Sequence, residues 1–319
     1  MRTCFDIRRF LIKLPLICAG LLTMASQTQA ATYYVIVSGL GGEPDYEQRF
    51  TAAAMDLDKL FSAQGANAHV SALSGQNATT AKFTSLLSGI ASTAKSEDDF
   101  VLILIGHGSF DGAQYKFNIP GPDLSAEDIA AMCDRIPSKR QLIVDTTSAS
   151  GGGVPAFRRS GRAIIAATKS GTEKNATVFA RYWVQALQDP ASDTDKSQSI
   201  SALEAFHYAT QKTAAFYESQ KRLATEHAVF PDMATGDPVR EPGGGQGALI
   251  SSFVILRLQN IRQLADNPAK YELLMKKEEL EQKIDTLKYQ KAAMEPADYK
   301  KQLTEMLLEL ARTQQELDR

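Results

Sequence analysis

The run Val101-Leu102-Ile103-Leu104-Ile105 constrains this chain more than any other feature. Strand side chains alternate between faces, so an unbroken apolar run has to be buried on both sides, as a strand covered by two helix layers is. Related runs recur at Tyr33 to Ser38, Ala68 to Leu73, Gln141 to Thr146, Ala163 to Thr168 and Leu249 to Leu256. Between them lie segments such as Tyr46 to Phe61 and Thr79 to Ala94, whose apolar residues fall three and four apart, as covering helices require. The expected fold is α/β and doubly wound: a mostly parallel sheet of about six strands with helices on both faces.

Both ends of the chain differ in texture from this body. At the N-terminus, Arg8, Arg9 and Lys13 precede an apolar stretch from Leu14 to Ala25, too short to span a bilayer. Thr28 and Ala30 follow as the small residues that signal peptidase reads. Residues 1–30 are therefore expected to be a signal peptide, and the mature chain to be periplasmic or secreted with no stable membrane anchor. Removing Arg2, Arg8, Arg9, Lys13 and Asp6 with that leader takes the formal charge from −2 to −5, which argues against nucleic acid as a partner. Cys4 and Cys18 leave with the leader, so Cys133 alone remains and no intramolecular disulfide can form. Cys133 lies in the helix-like stretch Ser125 to Arg135 and reads as a small buried hydrophobe.

Residues 31–262 carry the α/β pattern, and residues 263–319 shift to Lys, Glu, Gln and Leu with no strand signal. Leu280, Ile284 and Leu287 make one apolar stripe, and Leu303, Leu307, Leu310 and Leu317 a second, with Pro296 between them. A helical hairpin or coiled coil is expected, open to oligomerisation or to docking on the main domain.

Open parallel sheets place their sites at the carboxyl ends of strands. Two such ends stand out: Gly106-His107-Gly108-Ser109, and Asp145-Thr146-Thr147-Ser148-Ala149-Ser150-Gly151-Gly152-Gly153. Neighbouring strands would bring His107 and the Ser148 region face to face across the top of the sheet. From Thr32 to Leu256 the chain resembles the caspase and legumain superfamily of cysteine peptidases, with its paired His-Gly and Cys-containing strand ends. The resemblance implies a caspase-like fold, His107 as acid/base, and the amides of Gly108 and Ser148 as oxyanion donors. Where that family has Cys-x-Ser-Gly, this chain reads Ser148-Ala149-Ser150-Gly151, so the thiol is missing.

A serine hydroxyl needs a hydrogen-bonded base, itself oriented by a third group, and no third group is visible in the sequence. Two functions follow. One is a pseudopeptidase that binds a peptide or protein partner in the cleft. The other is a peptide hydrolase with Ser148 as nucleophile.

Asp193-Thr194-Asp195-Lys196-Ser197-Gln198-Ser199-Ile200-Ser201-Ala202-Leu203-Glu204 matches an EF-hand-type loop at its oxygen positions, with Asp193, Asp195, Ser197, Ser199 and Glu204 as calcium ligands. Gln198 stands where that loop has glycine, so a structural, weakly held calcium ion is one reading and a polar loop capping the helix after Ser201 is the other. No cofactor is required by either function. Gly39-Leu40-Gly41-Gly42 follows the first strand, but Pro44 stands where a dinucleotide fingerprint needs its third glycine. Glu226-His227, Asp232 and Asp237 read as a polar loop, and His69 and His207 as isolated residues on a strand and a helix.

Overall fold

The computed structural model describes residues 30–232, 234–243, 248–258 and, with interruptions between 271 and 289, 269–317. Residues 1–29 of the expected leader and residues 244–247 of the glycine-rich loop lie outside the described residues.

Five parallel strands form the central sheet: β1 (Thr32–Ser38), β2 (Ala68–Leu73), β3 (Asp99–Ile105), β7 (Arg140–Asp145) and β8 (Arg162–Ala166), in the order β2-β1-β3-β7-β8. Helices α1 (Pro44–Ser62), α5 (Phe179–Gln188) and α6 (Ala202–Ser219) contribute to the core on one face. Helices α2 (Thr80–Thr93), α3 (Ala126–Asp134) and α4 (Val154–Phe157) contribute to the core on the other. The key run divides cleanly by parity: Val101, Ile103 and Ile105 enter the first core, and Leu102 and Leu104 the second. Each such fully buried side chain is worth about 1.5–3 kcal/mol of transfer free energy, so this strand alone pins the sheet between its layers.

Local sequence sets the element ends. Thr79 Oγ1 accepts from the Lys82 N–H and opens α2. A reciprocal box between Ser125 and Asp128 opens α3. Cys133 on α3 is fully buried, and burial pushes its thiol up to about 12, as expected of a packing residue.

The sixth stretch, Leu249 to Leu256, departs from expectation. It forms the helix α7 (Ala248–Ser252) and the strand β12 (Val254–Arg257), which pairs antiparallel with β9 (Ser199–Ser201) away from the main sheet. Its apolar residues Ile250, Phe253 and Ile255 are buried all the same, which is why a short apolar run could not be told from a sheet strand by pattern. Beyond β8 there is instead a single antiparallel bridge, Ala166 to Val229, closed by two 2.9 Å bonds. A small antiparallel sheet of β4 (Gly108–Phe110), β5 (Tyr115–Phe117) and β6 (Leu124–Ser125) also escaped the sequence, its strands being too short to show a period.

In the tail, the residues described between 269 and 290 are helical and Pro296–Leu317 forms a second helix. Leu280, Ile284, Leu287, Thr313 and Leu317 are buried, and Lys276 Nζ lies 2.9 Å from Glu309 Oε1. These two charges stand nearly equidistant from the turn Lys291–Ala293, as an antiparallel hairpin requires. Leu307 is 47% exposed and does not belong to the buried stripe, whereas Thr313 does. Among the described residues no helix is long and apolar enough to cross a membrane.

Candidate functional site

β3 and β7 are adjacent, with Leu104 opposite Asp145, so the two strand ends singled out in the sequence meet. His107 and Gly108 follow β3, and Ser148 follows β7 by three residues. Gly108 sits against the Ser148 turn so closely that a Cβ there would lie 2.4 Å from the Ser148 carbonyl oxygen and 2.7 Å from Thr147 Oγ1. Only glycine fits.

That contact fixes the Ser148 side chain. Its Oγ donates to the Gly108 C=O at 3.0 Å and accepts the Gly108 N–H at 3.1 Å, and the residue is 2% exposed. Among the described residues no hydrogen bond joins Ser148 to His107. The imidazole instead lies edge-on to Tyr46 and Phe50 of α1, at centroid distances of 4.9 and 5.1 Å, and its Nε2 is 3.1 Å from the Gly41 C=O. A carbonyl can only accept, so Nε2 carries the proton, leaving Nδ1 as the basic nitrogen of the neutral ring.

The other hydroxyls of the turn are also engaged. Thr146 Oγ1 donates to the Leu104 C=O at 2.7 Å. Thr147 Oγ1 donates to Asp145 Oδ1 at 2.7 Å and lies 2.6 Å from the Tyr115 hydroxyl. Ser150 Oγ lies 3.1 Å from Thr168 Oγ1. Ala149 takes a left-handed backbone, φ 57°, and its N–H meets the Glu173 C=O at 2.8 Å. Gly152 bears the ring of Phe110: a Cβ there would come within 2.8 Å of it, so part of the glycine run serves internal packing.

Beneath the turn, Asp145 is fully buried, with Oδ2 lacking a hydrogen-bond partner among the described residues. Burial pushes its carboxyl up to about 6 against the opposing bonds from Thr147. The Tyr115 phenol is driven well above its ordinary value by burial and by the Asp145 charge. The sequence reading missed this Asp145, Thr147 and Tyr115 cluster. Its one available signal was an acid ending an apolar strand directly before the turn.

The polar stretch after α6 is also more ordered than its composition suggested. Glu226 is buried and accepts from the Val178 and Phe179 N–H groups at 2.7 and 3.1 Å, capping α5, and from the Tyr217 hydroxyl at 2.9 Å. His227 Nδ1 lies 2.6 Å from Glu173 Oε1. The His69 ring lies tilted against Tyr33 with 4.9 Å between centroids, and His207 lies 3.4 Å from Glu241.

In the acidic loop, one carboxylate oxygen from each of Asp193, Asp195 and Glu204 lies within 4.8 Å of the others. Lys196 and Gln198 adopt positive φ, 61° and 68°, so the backbone makes the left-handed turn where the calcium loop has glycine. Ser197 donates its N–H to Asp193 Oδ1 and Asp195 Oδ1 at 2.9 Å each, and its Oγ lies 2.9 Å from Ser199 Oγ. Glu204 also caps its own helix, Oε2 accepting from the Ser201 N–H and hydroxyl at 2.9 and 2.8 Å. These bonds are those of the capping reading. The three carboxylates fit a hard cation held by oxygen.

No family model matches the chain, and no curated protein matches it. Among solved structures it is similar to caspase-1 from Spodoptera frugiperda, with 11% identity and a TM-score of 0.46, over 66% of this chain and 88% of that one. It is also similar to a structural-genomics target from Geobacter sulfurreducens, with 11% identity and a TM-score of 0.45, over 72% of this chain and 99% of that one. At these values neither likeness says what this chain does.

Proposed function

We propose that the protein is an exported, caspase-like and legumain-like pseudopeptidase, whose strand-end cleft binds a peptide or protein partner without cutting it. One observation carries the reading. The Ser148 hydroxyl is buried and bonded in both directions to the backbone of Gly108, the residue whose amide would have to stabilise an oxyanion. A nucleophile so placed lacks its base, and the donor it would need is already engaged. The competing reading, hydrolysis by Ser148 with His107 as base, draws on the adjacency of the two strand ends. It requires Ser148 to leave Gly108 and the imidazole to turn away from Gly41.

Hydrolysis of peptide libraries by the wild type, Ser148→Ala, His107→Ala and Ser148→Cys separates the two. The pseudopeptidase has no activity for the first two substitutions to remove. Cleavage by the wild type that both substitutions abolish would establish the hydrolase.

As an accessory to this function we propose a structural calcium ion in the loop Asp193 to Glu204, supported by the convergence of its three carboxylates. The helical hairpin is proposed as a second element for contact with partners.

A further inference from the structure

The chain that leaves β1 is tied down by three successive N–H groups. Gly39 donates to the Ile105 C=O at 2.8 Å, Leu40 to the Asn118 C=O at 2.9 Å, and Gly41 to Glu47 Oε2 at 2.9 Å. The first two acceptors are backbone atoms, which any residue would supply. The third is a carboxylate, which a substitution removes.

That third bond bears on the cleft because the Gly41 C=O is the acceptor for His107 Nε2, at 3.1 Å. Among the described residues the imidazole makes no other hydrogen bond, and Tyr46 and Phe50 meet it as ring contacts. Such contacts hold the plane of a ring without choosing between its nitrogens. A carbonyl does choose, since it only accepts.

Glu47 is placed for this task by its own helix. Its N–H closes the first turn of α1 on the Glu43 C=O at 3.0 Å, and its carboxylate stands in that turn, where the helix dipole favours an anion. An acid serving the helix alone would accept from the free N–H groups of that turn. Oε2 instead accepts from Gly41, outside the helix, in a bond strengthened by the carboxylate charge. Gly41 is buried against the same turn: a Cβ there would lie 2.3 Å from the Glu47 nitrogen and 2.6 Å from its Cα. Gly42 and Glu43 are exposed, so the bond to Glu47 is the last of the three anchors before α1 begins.

We propose that Glu47 is the positioning residue of the cleft: acting through Gly41, it holds His107 in the tautomer protonated on Nε2, so that the ring meets a partner with Nδ1 as a hydrogen-bond acceptor. The partner is then one that offers an N–H or O–H donor at this point, as an extended peptide backbone does. This last step rests on the reading of the cleft as the partner's site, whereas the hold of Glu47 on the tautomer does not.

The test reads the ring nitrogens of His107 in the full chain by heteronuclear NMR correlation at a pH where the ring is neutral, with the signals assigned by their loss in His107→Ala. The wild type should show a single tautomer with Nδ1 unprotonated. Glu47→Ala should replace it by a mixture of the two tautomers with unchanged circular dichroism. Glu47→Gln, whose side-chain carbonyl still accepts from the Gly41 N–H, should restore the single tautomer. Gly41→Ala leaves Glu47 in place but drives the loop away from α1, so it should mix the tautomers as well, and it serves where Glu47→Ala does not fold. A wild type protonated on Nδ1, a reading that needs no variant to fold, would overturn the proposal. So would a single Nε2-protonated tautomer that persists in folded Glu47→Ala. Peptide cleavage by the wild type would defeat the pseudopeptidase reading without altering these ring signals, so the two failures are told apart.

Discussion

At the scale of single residues, the turn after β7 is a set of buried hydroxyls, each with a hydrogen-bond partner. Ser148→Ala removes the acceptor for the Gly108 N–H and the donor to its C=O, so it should destabilise by about 1–3 kcal/mol, read from the denaturant midpoint. A surface nucleophile would show no such loss. Asp145 makes a pH prediction. Its carboxyl titrates near 6 in the fold against 3.8 in the open chain, so the folded state holds the proton more tightly. The resulting stability is fully present below the lower value and is lost as pH rises through the upper one. The difference corresponds to about 3 kcal/mol between pH 3 and 8. Asp145→Asn should flatten that part of the pH–stability curve, and an unchanged curve would show that the carboxyl is not the group responsible. His107 was readable from the sequence because it is flanked by glycines at the end of a predicted strand, and Ser148 because it follows the next strand end at the position where the resembled family has its cysteine. The direction each side chain takes was not: His107 is turned by Tyr46, Phe50 and the Gly41 carbonyl from a distant part of the chain, and Ser148 by the backbone of Gly108 on the neighbouring strand end.

At the scale of elements, pattern succeeded where burial imposed a period. The run in β3 and the helices α1 and α2 follow from residues that must face a core on known faces. Pattern failed where pairing is brief or local. Strands β4, β5 and β6 span two or three residues each, and α7 with β12 divides an apolar run that reads equally well as one strand. Leu307 was placed in a buried stripe by leucine spacing, yet the helix turns it outward and buries Thr313. The acidic loop is tested at this scale. Calcium is expected to raise the melting temperature of the wild type, approaching about 2.7 kcal/mol of stabilisation at a hundredfold excess over the dissociation constant. Glu204→Gln should abolish that rise, because it removes a carboxylate from the converging three. A calcium response that survives the substitution would place the ion elsewhere.

At the scale of the whole molecule, two cores on opposite faces of one sheet make residues 31–258 a candidate for independent cooperative folding, with the hairpin contributing buried leucines of its own. Deleting the chain after Leu258 should leave a single sigmoidal unfolding transition, and loss of that transition would show that the hairpin completes the core. Export, the peptide partner and the pseudopeptidase reading rest on the leader pattern and on the strand-end chemistry taken together. The central claim is that the cleft retains the placement of a peptidase site but cannot turn over. Peptide-library hydrolysis by the wild type and Ser148→Cys, side by side, tests it most directly. The account predicts no cleavage by the wild type and a gain of cleavage in Ser148→Cys, because a thiolate supplies the ionisable nucleophile that the hydroxyl cannot. Wild-type cleavage that is lost in Ser148→Ala would contradict it.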